Sequence, residues 1–320
     1  MFKAIFTNSF GILFSRILGF FRDLMTASAL GAGVFSDIFF VAFKLPNLFR
    51  RIFAEGAFTQ AFIPAYAHSN NKSAFSAHIF LIFLSIILVI TLLVNILPSL
   101  ATQAIAVGFD EKTVAIASPF VAINFWYLPL IFGVTFLSAM LQYKRHFDTT
   151  AFSTALLNIS LILALYFSAE KSHAEIVYYL SFGVVIGGLL QLLSHVIAIR
   201  QLGLLKPLCS GFKHLGTKAD KIKEESQKFK KQFFPAIWGN STPQVSAFLD
   251  TFLASFLATG SISYLYYANR IFQLPLALFA IATSIALFPS IARYIKNNDE
   301  TKARLYMEKA FWFLAYLLSA

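Results

Sequence analysis

Two strongly apolar stretches near the start of the chain carry charged side chains, which are unfavourable in a lipid bilayer. The charges are Arg16, Arg22, Asp23, Asp37, Lys44, Arg50, Arg51 and Glu55. A charge at the bilayer centre costs about 3 kcal/mol even on the lenient insertion scales, so such residues usually face a polar interior. Their mostly positive sign predicts a hydrated, cationic cavity between helices.

The second stretch places its charges at regular helical intervals. Asp37, Lys44, Arg51 and Glu55 are separated by seven, seven and four residues. At about 100° per residue, these spacings predict one stripe that drifts slowly around an α-helix, with Arg51 and Glu55 able to neutralise each other. Alternatively, Lys44, Arg50 and Arg51 extend along the helix towards the cytoplasmic surface. That alternative explains Asp37 and the arginines of the first stretch poorly, so we favour the cavity.

Arginine at such positions suits a polyanion. A guanidinium group stays charged and binds phosphate oxygens through two parallel hydrogen bonds, which favours phosphate or pyrophosphate as the ligand. Arg270, inside a later apolar stretch, either adds a further cation or pairs with an acid on an adjacent helix. Asp250 shares a helical stretch with Asn240 and Ser241, and carboxylate, amide and hydroxyl oxygens are ligands for cations. An ion-coupling site, a titrating acid and a salt bridge to Arg270 are three open interpretations of Asp250.

The elements that carry these residues are predicted to be membrane-spanning helices. The chain is 58% hydrophobic and 13% charged, with a mean hydropathy of +0.70, whereas soluble domains are about one quarter charged. Long apolar runs without the alternation of barrel strands predict an all-α, polytopic transmembrane bundle. We expect helical segments at 5–28, 35–64, 75–100, 114–142, 150–169, 175–200, 233–258, 262–292 and 303–320, with Pro46 kinking the second.

The loops between these segments differ in charge, which predicts the orientation of the chain. Loops 29–34, 101–113, 170–174 and 259–261 have no basic excess, whereas the alternate loops are basic. Basic loops stay in the cytoplasm, so the N-terminus is predicted to be cytoplasmic. The net charge of +11 has the same explanation, and we expect no nucleic-acid partner. Cys209 is the one cysteine of this sequence, and no Cys/His cluster indicates a metal site.

A basic stretch divides the chain. Residues 200–231 contain nine Lys or Arg against three Asp or Glu. We predict an N-terminal six-helix lobe at 1–202, a basic cytoplasmic linker at 203–231 and the first part of a C-terminal lobe at 232–320. The linker is interpreted either as containing an amphipathic helix on the anionic inner leaflet or as a plain solvated segment.

The two predicted lobes show weak internal similarity at an offset of 227 residues. The matching pairs include Asp23 with Asp250, Ala27 with Ala254, Ser28 with Ser255, Leu30 with Leu257, Gly33 with Gly260 and Ser36 with Ser263. Parallel repeats of this kind occur in transporters. Their substrate sites lie between the repeats, near the middle of the membrane.

A close resemblance to the MurJ (MviN) family of bacterial lipid II flippases lies in residues 15–23, SRILGFFRD, and 37–58, DIFFVAFKLPNLFRRIFAEGAF. Residues 156–160, LLNIS, and 266–270, YYANR, are similar to later signatures of that family. The resemblance covers essentially the whole chain. It implies a fold of the multidrug/oligosaccharidyl-lipid/polysaccharide exporter type, with two six-helix lobes around a central cavity.

The resemblance also implies an activity and a site. Lipid II, which is undecaprenyl pyrophosphate carrying the peptidoglycan disaccharide-pentapeptide, would cross the bacterial inner membrane by alternating access. The expected surroundings are membrane lipids and the cell-wall synthesis machinery, and the expected state is a monomer. By match to the family pattern, Arg22, Arg51 and Arg270 would grip the pyrophosphate, and Arg16, Asp37, Arg50 and Glu55 would be further substrate-site residues. Asp250 resembles an acid of a sodium site in some members, so coupling to sodium or to the membrane potential is implied, without any other cofactor.

Three alternative functions are weighed against this expectation. An exporter of the same superfamily could carry another polyprenyl-linked glycan. A membrane enzyme acting on polyprenyl phosphates would need clustered acids for Mg²⁺, and the sequence has no DDxxD-like motif, so we expect a transporter rather than an enzyme. A structural scaffold leaves the intramembrane arginines unexplained. Because the chain stops inside the apolar run 311–320, we expect a C-terminally truncated piece that does not transport alone.

Overall fold

The computed structural model describes residues 2–215, 219–275, 287, 291, 293–295 and 299–319. Within these, the side chains at 2–9, 12, 52–55, 219–221, 274–275 and 317–319 lie outside the description. Every regular element in the described part is helical, which confirms the predicted all-α class. The chain divides into two compact units, Met1–Ser263 and Tyr264–Ala320.

The helices follow one another with short connections. The α-helices are α1 (Phe2–Leu30), α2 (Val34–Phe49), α3 (Thr59–His68), α4 (Lys72–Ile96), α5 (Pro98–Ile105), α6 (Glu111–Phe125), α7 (Tyr127–Tyr143), α8 (Asp148–Phe167), α9 (His173–Gln201), α10 (Leu205–Lys213), α11 (Ala219–Ala254), α12 (Ser261–Pro275) and α13 (Glu300–Ser319). A π-helical segment, Arg50–Phe58, joins α2 to α3.

Among the described residues, four helical stretches are long and apolar enough to cross a membrane. They are Lys72–Ile96, Glu111–Tyr143, Asp148–Phe167 and His173–Gln201. Side chains such as Ile86, Val89 and Leu93 of α4 are exposed, as expected for a helix that contacts lipid tails rather than water. The prediction of several apolar membrane helices is therefore confirmed.

Proline residues explain two departures from the predicted segments. The segment predicted at 114–142 is divided into α6 and α7, since Pro129 has no backbone hydrogen for the carbonyl group of Phe125. The segment predicted at 75–100 ends as α4 at Ile96, and Pro98 begins α5. For the segment predicted at 262–292, residues 276–286, 288–290 and 292 lie outside the described part of the chain.

Small residues allow α1, α8 and α9 to pack closely. A Cβ atom added at Gly11 of α1 would lie 2.9 Å from the Cβ atom of Ala151. One added at Gly187 of α9 would lie 2.7 Å from Cδ1 of Leu157. Close packing through small residues is the usual way in which helices associate in a membrane. It fixes α8 between α1 and α9.

An aromatic core joins the π-helical segment to α4, α7 and α11. The ring of Phe58 lies 5.8 Å from that of Phe132 and 5.9 Å from that of Phe229. Phe83 of α4 lies 5.1 Å from Phe233. These separations are those of attractive aromatic pairs. The part of α11 around Phe229 and Phe233 is therefore fixed to the N-terminal helices.

The segment predicted as a linker contains the helix α10 and the start of the helix α11. Within it, α10 packs on α4, and a Cβ atom at Gly211 would lie 2.0 Å from the backbone oxygen of Ser73. Leu208 of α10 is 7% exposed and belongs to the same core as Phe229. The helix α11 begins at Ala219, inside the predicted linker, and continues without a break into the segment predicted at 233–258.

Candidate functional site

Arg22 lies in a buried polar cluster between α1 and α8. Its Nη1 atom donates a hydrogen bond to Oδ1 of Asn158 at 2.9 Å, and its Nε atom donates to Oδ1 of Asp23 at 3.0 Å. A second guanidinium nitrogen, Nη2, forms an ion pair with the same carboxylate. Arg22 and Asp23 are only 8% and 4% exposed. The adjacent carboxylate therefore compensates much of the charge that Arg22 brings into the membrane.

Asn158 connects the guanidinium group to the helix backbone. Its Nδ2 atom donates to the backbone oxygen of Ser15 at 2.9 Å, while its Oδ1 atom accepts from Arg22. The hydroxyl group of Ser15 in turn donates to the backbone oxygen of Ala151 at 3.4 Å. Because both ends of the amide are engaged, the direction of the Arg22 side chain is fixed by α8 as well as by α1.

Asp37, at the start of α2, binds the start of α12. Its Oδ2 atom accepts a hydrogen bond from the backbone nitrogen of Gly260 at 2.6 Å, and Oδ1 accepts from that of Ser263 at 2.8 Å. The Ser263 hydroxyl group also donates to Asp37, and its oxygen lies 2.8 Å from the hydroxyl oxygen of Ser36. Gly260 has a φ angle of 91°, a conformation that favours glycine. We refer to Ser36, Asp37, Gly260 and Ser263 as the α2–α12 clasp.

The geometry of this clasp is that of a helix cap supplied from another helix. The first N–H groups of a helix lack partners within it, and the helix dipole makes that end positive. The carboxylate of Asp37 is 4% exposed and satisfies two such N–H groups. The clasp therefore ties α2 to α12 through hydrogen bonds that a charged acceptor strengthens.

A second contact lies at the end of α11. The backbone nitrogen of Gly108, between α5 and α6, donates to the hydroxyl oxygen of Ser255 at 3.0 Å. A Cβ atom at Gly108 would lie 2.3 Å from the backbone oxygen of Ser255, so only glycine fits there. Gly108 and the clasp both adjoin loops that the charge pattern predicts to be outside.

Lys44, Arg51 and Asp250 form a second group of charges. The ammonium group of Lys44 lies within electrostatic range of the Asp250 carboxylate and the Arg51 guanidinium group. Lys44 is half-buried, whereas Arg51 and Asp250 are exposed. Lys44 of α2 is thus a basic residue near Asp250, and the salt bridge between Asp250 and Arg270 stays a prediction.

The other predicted site residues are placed as follows. Arg16 is exposed on α1. Arg50 is half-buried, and its Nε atom donates a hydrogen bond to Oδ1 of Asn47 at 3.0 Å. Arg270 is half-buried on α12, in the second unit. The side chain of Glu55 lies outside the described residues.

The prediction of one continuous α-helical stripe is wrong beyond Phe49. The segment Arg50–Phe58 is π-helical, so its hydrogen bonds span five residues and each residue turns through less than the α-helical 100°. The N–H group of Arg50 contacts the backbone oxygens of both Asn47 and Pro46, at the point where the hydrogen-bond pattern changes. Charge spacing alone contains no signal for such a change.

Sequence reasoning did not assign a role to Asn158, Gly260 or Ser263. A signal was present for each of them. Asn158 is an amide in a helix long and apolar enough to cross a membrane, and such residues usually hydrogen-bond across helices. Gly260 and Ser263 were visible as the repeat partners of Gly33 and Ser36, although their contact with Asp37 was not.

Comparison with known proteins identifies the family. A family model described as lipid II flippase MurJ matches residues 26–319. The chain belongs to the MurJ family. This family consists of transporters rather than enzymes, and its helical transporter fold is the one found here.

Curated relatives share this family name. A MurJ protein of Helicobacter pylori strain 26695, named as a lipid II flippase, is 53% identical over 302 residues, which cover 92% of this chain and 66% of that protein. The MurJ protein of Aquifex aeolicus is 36% identical over 297 residues, covering 91% of this chain and 57% of that protein. The chain thus spans less than two thirds of the length of these relatives, 66% of the first and 57% of the second.

A solved structure has the same fold. It is a lipid II flippase MurJ in an inward closed conformation, with a TM-score of 0.75 and 25% sequence identity. The match covers 97% of this chain and 62% of that one. The MurJ fold of the chain is therefore supported by sequence and by structure.

Proposed function

We propose that the chain forms part of a flippase that moves lipid II across the bacterial inner membrane by alternating access. Membership of the MurJ family supports the substrate class. The α2–α12 clasp is the observation that carries the mechanism, because it joins α2 to α12 at the predicted outer side through a few polar contacts. Contacts of this kind can form and break during a transport cycle, unlike a packed apolar core.

Arg22, Arg51 and Arg270 hold the pyrophosphate in this proposal. The other substrate-site residues are Arg16, Asp37, Arg50 and Glu55. Asp23 balances the charge of Arg22 before the substrate binds. The pyrophosphate would therefore compete with Asp23 for the guanidinium group, and Arg22 is not an isolated buried cation without it. The polyprenyl tail stays in the lipid throughout.

The energy source is proposed to be sodium or the membrane potential. Moving one charge across the membrane field is worth about 2.3 kcal/mol per 100 mV, enough to drive or reset the cycle. Asp250 is the candidate sodium ligand, and its nearby Lys44 offers a second way to balance the acid. A sodium titration of transport in wild type and in Asp250→Asn tests this part. A sodium response that is unchanged in Asp250→Asn would remove Asp250 from the coupling site.

The N-terminus and the 203–231 stretch are proposed to be cytoplasmic, and the protein to work as a monomer beside the cell-wall synthesis machinery. Cys209 of α10 is exposed and tests the orientation without a new cysteine. A membrane-impermeant maleimide should label it in inverted vesicles and not in right-side-out vesicles, with Cys209→Ser as the control. Labelling from the outer side would reverse the proposed topology.

The substrate role is tested in the full-length protein by Arg22→Ala, Arg51→Ala and Arg270→Ala. Each removes charge-assisted hydrogen bonds worth about 1.5–3 kcal/mol, which corresponds to at least a tenfold loss of lipid II flipping. Arg200→Ala, which removes an exposed arginine at the end of α9, is the matched control and should flip normally. Normal growth of a depletion strain that expresses the three cavity variants would refute these roles.

The nature of the glycan is tested by competition. Lipid II flipping should be inhibited by unlabelled lipid II and not by an O-antigen or teichoic precursor at the same concentration. Preferential transport of one of those precursors would assign the chain to another polyprenyl-linked glycan.

A further inference from the structure

The π-helical segment Arg50–Phe58 contacts α11 at Gly56. A Cβ atom at Gly56 would lie 2.9 Å from both Cγ and Oδ1 of Asn240 and 3.3 Å from its Nδ2 atom. The Asn240 amide donates from Nδ2 to the backbone oxygen of Ala236 at 2.7 Å and, more weakly, to Oε1 of Gln60 at 3.4 Å. It therefore lies directly on Gly56, next to the start of α3.

Both helices are locally weak at this contact. A π-helix is rare and is frequently found at functional sites. In α11, Pro235 and Pro243 lie on either side of Asn240, and each removes one backbone hydrogen bond from the helix. The contact thus joins two helices at places where their hydrogen-bond patterns are already interrupted.

The aromatic core anchors the Phe58 end of the π-helical segment. Phe58 is fully buried among Phe62, Phe132 and Phe229. Arg51, at the other end, is exposed. A change between π and α geometry would change the angle per residue and so turn Arg51 relative to Phe58.

We propose that Asn240 is a positioning residue that acts on Arg51 through Gly56. By occupying the surface of Gly56, the Asn240 side chain holds the segment in π geometry and so sets the direction of Arg51. The importance of that direction for transport rests on the proposed function, in which Arg51 binds the pyrophosphate. The positioning itself does not depend on the substrate.

The chain offers a matched pair of glycines for the test. Gly56→Ala places a methyl group against the amide of Asn240, which must leave its hydrogen bonds to make room. Gly239→Ala, one residue before Asn240, adds the same methyl group where no atom lies within 4 Å. Asn240→Ala removes the amide itself.

Labelling of residue 51 measures the positioning directly. In the full-length protein carrying Cys209→Ser and Arg51→Cys, the rate of reaction with a water-soluble maleimide reports the exposure of that position. Loss of the Asn240 hydrogen bonds, about 1 kcal/mol, predicts a change of about fivefold in this rate for Gly56→Ala and for Asn240→Ala. The double variant should match Asn240→Ala, because both changes remove one contact, and Gly239→Ala should match wild type. An unchanged rate in Gly56→Ala, or additive effects in the double variant, would overturn the proposal.

Flipping assays separate this inference from the proposed function. With Arg51 present, Gly56→Ala should lower lipid II flipping about fivefold on the same hydrogen-bond estimate, and with Arg51→Ala it should have no further effect. Normal flipping by Arg51→Ala would refute the substrate role of Arg51. The positioning would still stand if the labelling rate of the double variant matched that of Asn240→Ala. If Arg51→Ala abolishes flipping but the labelling rate is unchanged in Gly56→Ala or additive in the double variant, only the positioning is refuted. Monodisperse extraction of every variant excludes misfolding as the cause.

Discussion

Replacing Asp37 by asparagine tests the α2–α12 clasp. Asparagine has nearly the same shape as aspartate, so packing around the side chain is preserved. One amide oxygen can still accept from Ser263, but the amide nitrogen then faces the backbone N–H group of Gly260, where the carboxylate now accepts at 2.6 Å. Two donors cannot bond to each other, so the variant loses a charge-assisted hydrogen bond and leaves a buried donor without its acceptor.

The size of the effect follows from these contacts. A hydrogen bond to a charged group contributes about 1.5–3 kcal/mol, and each 1.4 kcal/mol changes an equilibrium tenfold. Asp37→Asn should therefore shift the balance between the closed and open clasp by about 10- to 100-fold towards the open form. Asp37→Ala, which removes both acceptor atoms, should shift it further.

The closed population can be measured by crosslinking. The hydroxyl oxygens of Ser36 and Ser263 lie 2.8 Å apart, so cysteines at both positions should form a disulfide when the clasp is closed. In the full-length protein with Ser36→Cys, Ser263→Cys and Cys209→Ser, oxidation should stop flipping and a reductant should restore it. Adding Asp37→Asn should lower the rate of disulfide formation in proportion to the closed population.

Asp110→Asn is the matched control. Asp110 is exposed and caps α6 by accepting from the backbone nitrogen of Thr113, and hydrogen bonds from Thr113 hold the pKa of Asp110 below its ordinary value. It makes no described contact with α12, so crosslinking should be unchanged. Equal disulfide rates in wild type, Asp37→Asn and Asp37→Ala would refute the reasoning that Asp37 holds the clasp closed.

Three further substitutions test other contacts in the full-length protein. Gly108→Ala should prevent close approach of the α5–α6 loop to the end of α11 and so lower the melting temperature. Gly33→Ala is the control, because no atom lies within 4 Å of the added carbon, and it should leave the melting temperature unchanged. Equal melting temperatures of the two variants would contradict the close contact at Gly108. Phe229→Ala should destabilise the protein by about 3 kcal/mol, and Phe234→Ala, whose side chain is 59% exposed, should be nearly neutral in the same thermal assay. Asn158→Ala should lower flipping about tenfold by releasing the guanidinium group of Arg22, and an unchanged flipping rate would show that α8 does not orient it.

The sequence predicts the N-terminal helices well because lipid imposes a simple pattern on them. Long apolar runs mark α4, α8 and α9, whose bounds agree closely with the predicted segments. In a bilayer every backbone group must be satisfied within the helix, so apolar length is nearly sufficient evidence. Proline then explains where α6 gives way to α7.

Other features depend on contacts that are distant in sequence. The charged start of α11 resembles a solvated linker, but Phe229 lets it pack on the aromatic core. Arg22 is identifiable as an intramembrane cation, whereas its hydrogen bond to Asn158 spans 136 residues and requires the packing of α1 on α8. The π geometry around Arg51 reflects how α11 packs there, and no local periodicity reports it.

The contact between Ser36 and Ser263 has a consequence for symmetry. These two serines occupy the same position in the predicted repeat, 227 residues apart, and they touch each other. Two residues that are counterparts in the predicted repeat therefore contact each other directly. The contact is not symmetric, because Asp37 accepts hydrogen bonds from Gly260 and Ser263 whereas its own counterpart by the same offset is Tyr264.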